Sequence, residues 1–163
     1  MYNSLIYQLS QLIKGYRLLV ENLRQEKEYL ATADIAQLNE NNSAKEIILL
    51  ELRTQEKTRV QITRELAATI GADVESPRLL DIAQILGGPE EDKLRNLHSV
   101  LELLVKRASE INEENEQLAH SAIKQVQGAL NSIRDSLGPK PVYEKKGSIS
   151  NSTKSGKLVS REV

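Results

Sequence analysis

Apolar residues near the start of the chain recur at alternating spacings of four and three: Leu5, Leu9, Leu12, Tyr16, Leu19 and Leu23. That is the a/d seam of a heptad repeat, and it predicts a helix over about residues 4–30. Gly15 interrupts it at a cost of ~1 kcal/mol relative to alanine. A second helix is predicted over 34–70. Asp34 is placed to N-cap it, with Gln37 at the capping-box spacing, and Gly71 is a natural stop. Its stripe reads Ile35, Leu38, Leu49, Leu52, Leu66 and Ile70, with Asn42, Lys45, Glu56 and Arg59 making the middle polar at the same phase. Only Ala31-Thr32-Ala33 separates the two helices, so they must fold back as an antiparallel hairpin.

Ser76-Pro77 then predicts an N-cap and N1 proline for a short helix over 77–86. Leu79, Leu80, Ile82, Ala83, Ile85 and Leu86 make it apolar nearly all round, so it is expected to be buried as a cap on the end of the hairpin. After Gly87-Gly88, Pro89-Glu90-Glu91-Asp92 opens the longest helix, over 89–137. Its seam is Leu94, Leu97, Leu101, Leu104, Ala108, Ile111, Asn115, Leu118 and Ala122. Asn115 is polar at a core position, a substitution that sets register at some cost in stability. Gly138-Pro139-Lys140-Pro141 ends the helix. The expectation is an all-α chain: an elongated antiparallel bundle of three long coiled-coil-like helices and one short helix over 1–137, then a flexible tail over 138–163.

At ~1.5 Å per residue the last helix is roughly 70 Å long, against ~40 and ~55 Å for its neighbours. Yet its C-terminal half stays apolar. Leu118, Ala122, Ile123, Val126, Leu130, Ile133 and Leu137, with Ala119 and Ala129, form a face broader than a two-helix seam needs. A face that outruns its intramolecular partners calls for a further partner. The competing reading is that staggered helices and the short helix cover the excess.

Composition narrows the chemistry. All five aromatic residues are tyrosine, with no Phe or Trp, so Leu, Ile, Val and Ala do the packing. There is no cysteine, which excludes disulfides, thiolate catalysis and Cys-based zinc sites. No apolar run reaches the roughly 20 residues that span a bilayer, and Met1-Tyr2-Asn3-Ser4 lacks the basic start of a signal peptide. From Gly138 onward six Lys/Arg face two Asp/Glu, a balance of +4, which leaves −5 for the body given the total of −1. No aromatic-basic platform supports nucleic-acid binding. His98 and His120 belong to no metal signature, Gly87-Gly88-Pro89 lacks the lysine of a phosphate loop, and no nucleophile elbow occurs. Glu26, Glu56 and Arg59 fall near core phase and read as inter-helix ion pairs. No catalytic residue, cofactor or metal is expected.

The third long helix and the segment after it carry a resemblance. Asn112-Glu-Glu-Asn115-Glu-Gln-Leu118 leads into the final amphipathic stretch, and Tyr143-Glu-Lys-Lys-Gly147 comes after the helix. With the block Lys45-Glu46 to Arg53 closed by Ile70-Gly71, this order resembles the FlgN family of flagellar export chaperones. The resemblance implies a cytoplasmic protein that binds the C-terminal region of the hook–filament junction proteins FlgK and FlgL, prevents their premature assembly and delivers them to the export gate protein FlhA. It places cargo on the C-terminal half of the last helix and gate contact at Tyr143. The residues alone leave open a structural coiled coil that self-associates through the same face, as a weak homodimer.

Overall fold

The computed structural model describes residues 1–137 and is all-α, a bundle of four helices: α1 (Tyr2–Thr32), α2 (Ile35–Ile70), α3 (Leu79–Leu86) and α4 (Gly88–Leu137). It divides into two compact units, Met1–Lys124 and the residues from Gln125 onward. In the first unit, side-chain contacts fix the helix directions. Thr69 Oγ1 donates to Met1 Sδ, Gln8 Nε2 to the Gln55 carbonyl and Asn22 Nδ2 to Asn41, so α2 runs antiparallel to α1. Tyr2 Oη donates to the Glu90 carbonyl and Asn115 Nδ2 to that of Leu23, so α4 runs parallel to α1.

Two adjoining apolar clusters hold the unit together. One gathers Leu5, Ile6 and Leu9 of α1, Leu66 and Ala67 of α2, Ile82 and Ala83 of α3, and Leu94 of α4. The other gathers Leu12, Leu19, Val20 and Leu23 with Leu52, Ala108 and Ile111. The α1 heptad therefore supplies both. Gly15 lies against α2: a Cβ there would sit 2.7 Å from Leu52 Cδ2. The loss in helix propensity is what that close approach costs.

The hairpin turn is tighter than the spacing suggests. Thr32 is still helical, and Ala33 alone takes the left-handed conformation (φ 54°, ψ 33°). The Ala33 and Asp34 N–H groups donate back to the Leu30 and Tyr29 carbonyls, closing a Schellman motif. Asp34 then caps α2, its carboxylate accepting from the Gln37 N–H at 3.1 Å. The left-handed conformation is strained for an L-residue and not for glycine. Ala33→Gly is expected to stabilise the protein by roughly 0.5–1 kcal/mol, net of the added freedom of the unfolded chain. A urea melt with an unchanged or lower midpoint would show that Ala33 carries no such strain.

Three expectations need correction. The short helix does not start at Pro77. Asp73 Oδ1 accepts from the Glu75 and Ser76 N–H groups, and this turn draws Ser76-Pro77 out of the helix, so Arg78 is the N-cap and Leu79 the first residue. Nor is α3 wholly buried: Ile82 and Ala83 are, while Leu80 and Ile85 are exposed. Third, α2 does not present its apolar stripe as read. Ile35 is exposed and Leu49 borders on it, whereas Asn41 and Thr63 are buried. The reason is local satisfaction. Thr63 Oγ1 returns its proton to the Arg59 carbonyl at 2.7 Å, and Asn41 and Asn22 exchange amide hydrogen bonds across the hairpin. The join between α3 and α4 is the Gly87-Gly88 pair, both at positive φ (66° and 58°), a conformation that explains why two glycines stand there.

Candidate partner-binding face

The apolar stripe of α4 starts in the core. Leu94, Ala108 and Ile111 are buried, with Leu97, Leu101 and Leu104 packed at the cluster margins. A polar layer comes next at Asn115, only 3% exposed. Its Nδ2 donates to the Leu23 carbonyl at 2.8 Å and to Glu26 Oε2 at 3.1 Å. The other Glu26 oxygen accepts from Lys45 Nζ at 2.6 Å. One carboxylate thus joins α1, α2 and α4. Beside it Lys27 pairs with Glu114 at 2.7 Å, and the hydrogen bond and charge of the Lys27 ammonium hold the Glu114 carboxyl below the usual carboxylate range. The inter-helix ion pair expected at Glu26 is present. Glu56 and Arg59 differ: they pair within α2, three residues apart, with Arg59 also reaching Thr63.

Past this layer the face opens. In the first unit Leu118, Ala122 and Ile123 are exposed, and in the second Val126, Leu130, Ile133 and Leu137 are exposed. The exposed fraction runs from 54% at Ile123 to 80% at Leu137. From Ile123 these apolar positions repeat at spacings of three, four, three and four, a heptad seam of its own. Leu118 and Ala122 belong to the preceding stripe, one residue out of phase with the new seam. The positions flanking the seam hold Ala122, Ala129 and Ser136 on one side and His120, Gln127 and Arg134 on the other, with no acid among them. Chemically this is an exposed apolar helix face. Tyr143 and the tail over 138–163 lie outside the described residues.

A concavity elsewhere in the first unit was not legible in the sequence. It is a groove of about 670 Å³ between the α1–α2 hairpin, the start of α3 and α4, lined by Tyr16, Arg59, Leu80, His98, Leu101 and Val105 among others. Burial and the neighbouring Glu56 carboxylate raise the Tyr16 phenol above its ordinary value. The groove draws on four separated stretches of chain, and no spacing rule links them. Among the described residues no helix is long and apolar enough to cross a membrane.

Comparison with known proteins bears on this arrangement. No curated protein matches the chain, and no solved structure matches it. The family model described as FlgN protein matches residues 1–151. That match takes in all four helices, the polar layer at Asn115 and the open seam of α4, and on it the chain belongs to the FlgN family of flagellar export chaperones.

Proposed function

We propose that this chain is a cytoplasmic chaperone for the hook–filament junction proteins FlgK and FlgL. It would hold their C-terminal region on the exposed seam of α4 and pass them to the export gate protein FlhA. The observation that carries the reading is the run Ile123, Val126, Leu130, Ile133 and Leu137, exposed at heptad spacing in a chain of this family. Leu118 and Ala122 extend the surface toward the polar layer. An amphipathic cargo helix lays its apolar side on such a seam, and the same contact hides the side that would otherwise drive premature assembly. The function is one of binding and not of catalysis. Tyr143 serves the gate contact in this proposal.

Fully burying one such side chain contributes ~1.5–3 kcal/mol. Ile123→Ala/Leu130→Ala is therefore expected to weaken binding of a FlgK or FlgL C-terminal peptide tenfold or more, since 1.4 kcal/mol is about a factor of ten. Tyr143→Ala should leave that titration nearly unchanged and weaken capture by the cytoplasmic part of FlhA. Calorimetric titration of both variants checks the assignment. Unaltered peptide affinity in the double variant would remove cargo from this seam, and loss of peptide binding in Tyr143→Ala would make the tyrosine part of the cargo site.

A further inference from the structure

Where α4 passes the turn end of the hairpin, a slot of about 340 Å³ lies beside the polar layer. Leu30, Leu38 and Ala119, all half-buried, form its apolar side. Glu26, Asn42 and Asn115 form its polar side, and the exposed Glu116 carboxylate stands at its rim. The Asn115 amide cannot turn over, because Nδ2 already donates to the Leu23 carbonyl and to Glu26 Oε2, and both need a donor. Its Oδ1 is therefore fixed as an acceptor, and it is buried and receives no hydrogen bond among the described residues. Asn42 Oδ1 is in the same condition. A buried carbonyl oxygen without a donor is costly, and an arriving donor removes that cost.

The slot adjoins the apolar face of α4. Ala119 lines it and stands three and four residues before Ala122 and Ile123, so a helix lying on that face has a side chain within reach of the slot. The surroundings select that side chain. It must bring several donors, since two carbonyl oxygens lack one. It should be cationic: Glu26 is already matched by Lys45, but Glu116 faces only His120 among the described residues, 3.6 Å away and charged only when protonated. It also needs an apolar stem to lie along Leu30, Leu38 and Ala119. Arginine meets all three conditions, with N–H donors in a planar fork on a three-carbon stem. Lysine presents its charge at one point, and glutamine carries none.

We propose that this slot receives an arginine side chain of the cargo helix, its guanidinium donating to Asn115 Oδ1 and Asn42 Oδ1 beside the Glu116 carboxylate. In the free chain the slot's own side chains close over both oxygens, and the entering guanidinium displaces them. The inference rests on the function proposed above. It adds a polar anchor that fixes where along α4 the cargo helix sits, which a regularly repeating apolar seam does not.

The test is calorimetric titration of a FlgK or FlgL C-terminal peptide into the full chain, with each arginine of the peptide replaced in turn by glutamine. One replacement should weaken binding about tenfold in the wild type, and less than twofold in Asn42→Leu/Glu116→Gln. The side-chain amide resonances of Asn115 should move on adding the wild-type peptide and stay in place with that glutamine peptide. Asn42→Leu alone should keep or raise the thermal midpoint, since it removes a buried acceptor that lacks a donor. A peptide that binds with no arginine coupled to Asn42 and Glu116, Asn115 resonances that ignore the arginine, or a lowered midpoint in Asn42→Leu would each overturn this inference alone. Ile123→Ala/Leu130→Ala would then still weaken the peptide. A peptide that binds none of these chains would remove the function as well.

Discussion

Ile111→Ala is expected to lower the unfolding free energy by about 2–5 kcal/mol, while Leu130→Ala leaves it within about 0.5 kcal/mol of the wild type. Both residues lie on the apolar stripe of α4, and their substitutions remove side chains of similar size. What differs is the surroundings. Ile111 is 2% exposed and packs in the cluster of Leu12, Leu19, Val20, Leu23 and Leu52, so truncation leaves a cavity that neighbouring helices cannot collapse into. Leu130 is 60% exposed, so truncation leaves no cavity. The heptad pattern nominates Leu97 and Leu101 as equally costly, but both lie only partly buried at the cluster margin, and the full cost moves to Leu94 and Ile111. Urea melts of alanine variants at Ile111, Leu130, Leu97 and Leu101 test the ranking. An equal loss in Leu130→Ala would mean the distal seam is core.

Lys45→Ala is expected to cost about 2–4 kcal/mol, and more than Glu26→Ala. The Glu26 side chain is 11% exposed and that of Lys45 is 20% exposed. Removing the lysine strands a carboxylate with Asn115 Nδ2 as its remaining hydrogen-bond partner, and an uncompensated buried charge is the costly product of breaking such a pair. Removing the glutamate leaves an ammonium on a flexible stem that can swing into water, and leaves Asn115 its bond to the Leu23 carbonyl. Replacing both together, as Glu26→Leu/Lys45→Met, should cost much less than the sum of the single changes. A double-mutant cycle by denaturant melts decides this. Additive losses would show that the two charges do not depend on each other.

Much of the fold is legible in the residues because helices announce themselves locally. The alternation of Leu5, Leu9, Leu12, Leu19 and Leu23 places one stripe on α1, and all five are buried. Asp34 and Gly71 bound α2 where a capping side chain and a positive φ are needed, and both conditions are met. Asn115 stands out as a polar residue in an apolar register, and it is buried as that register requires. The candidate seam is legible for the same reason: Ile123, Val126, Leu130, Ile133 and Leu137 keep heptad spacing.

What local spacing does not carry is whether a polar residue will find its complement elsewhere. Asn41 enters the buried side of α2 because Asn22 of α1 answers it, and Glu26 enters because Lys45 and Asn115 converge on it from two other helices. Ile35 is left outside in exchange, since a helix has one buried face and the hydrogen-bonded residues take part of it. By itself, then, the sequence determined the number and type of the elements, the caps of α2 and the apolar seam beyond Asn115, all set by interactions a few residues apart. Only the tertiary structure decided which face of α2 is buried, that α3 keeps Leu80 and Ile85 exposed, and that a single carboxylate ties three helices together. The burial of Asn41 and of Glu26 depends on groups from distant parts of the chain meeting at hydrogen-bonding distance, a condition no periodicity encodes.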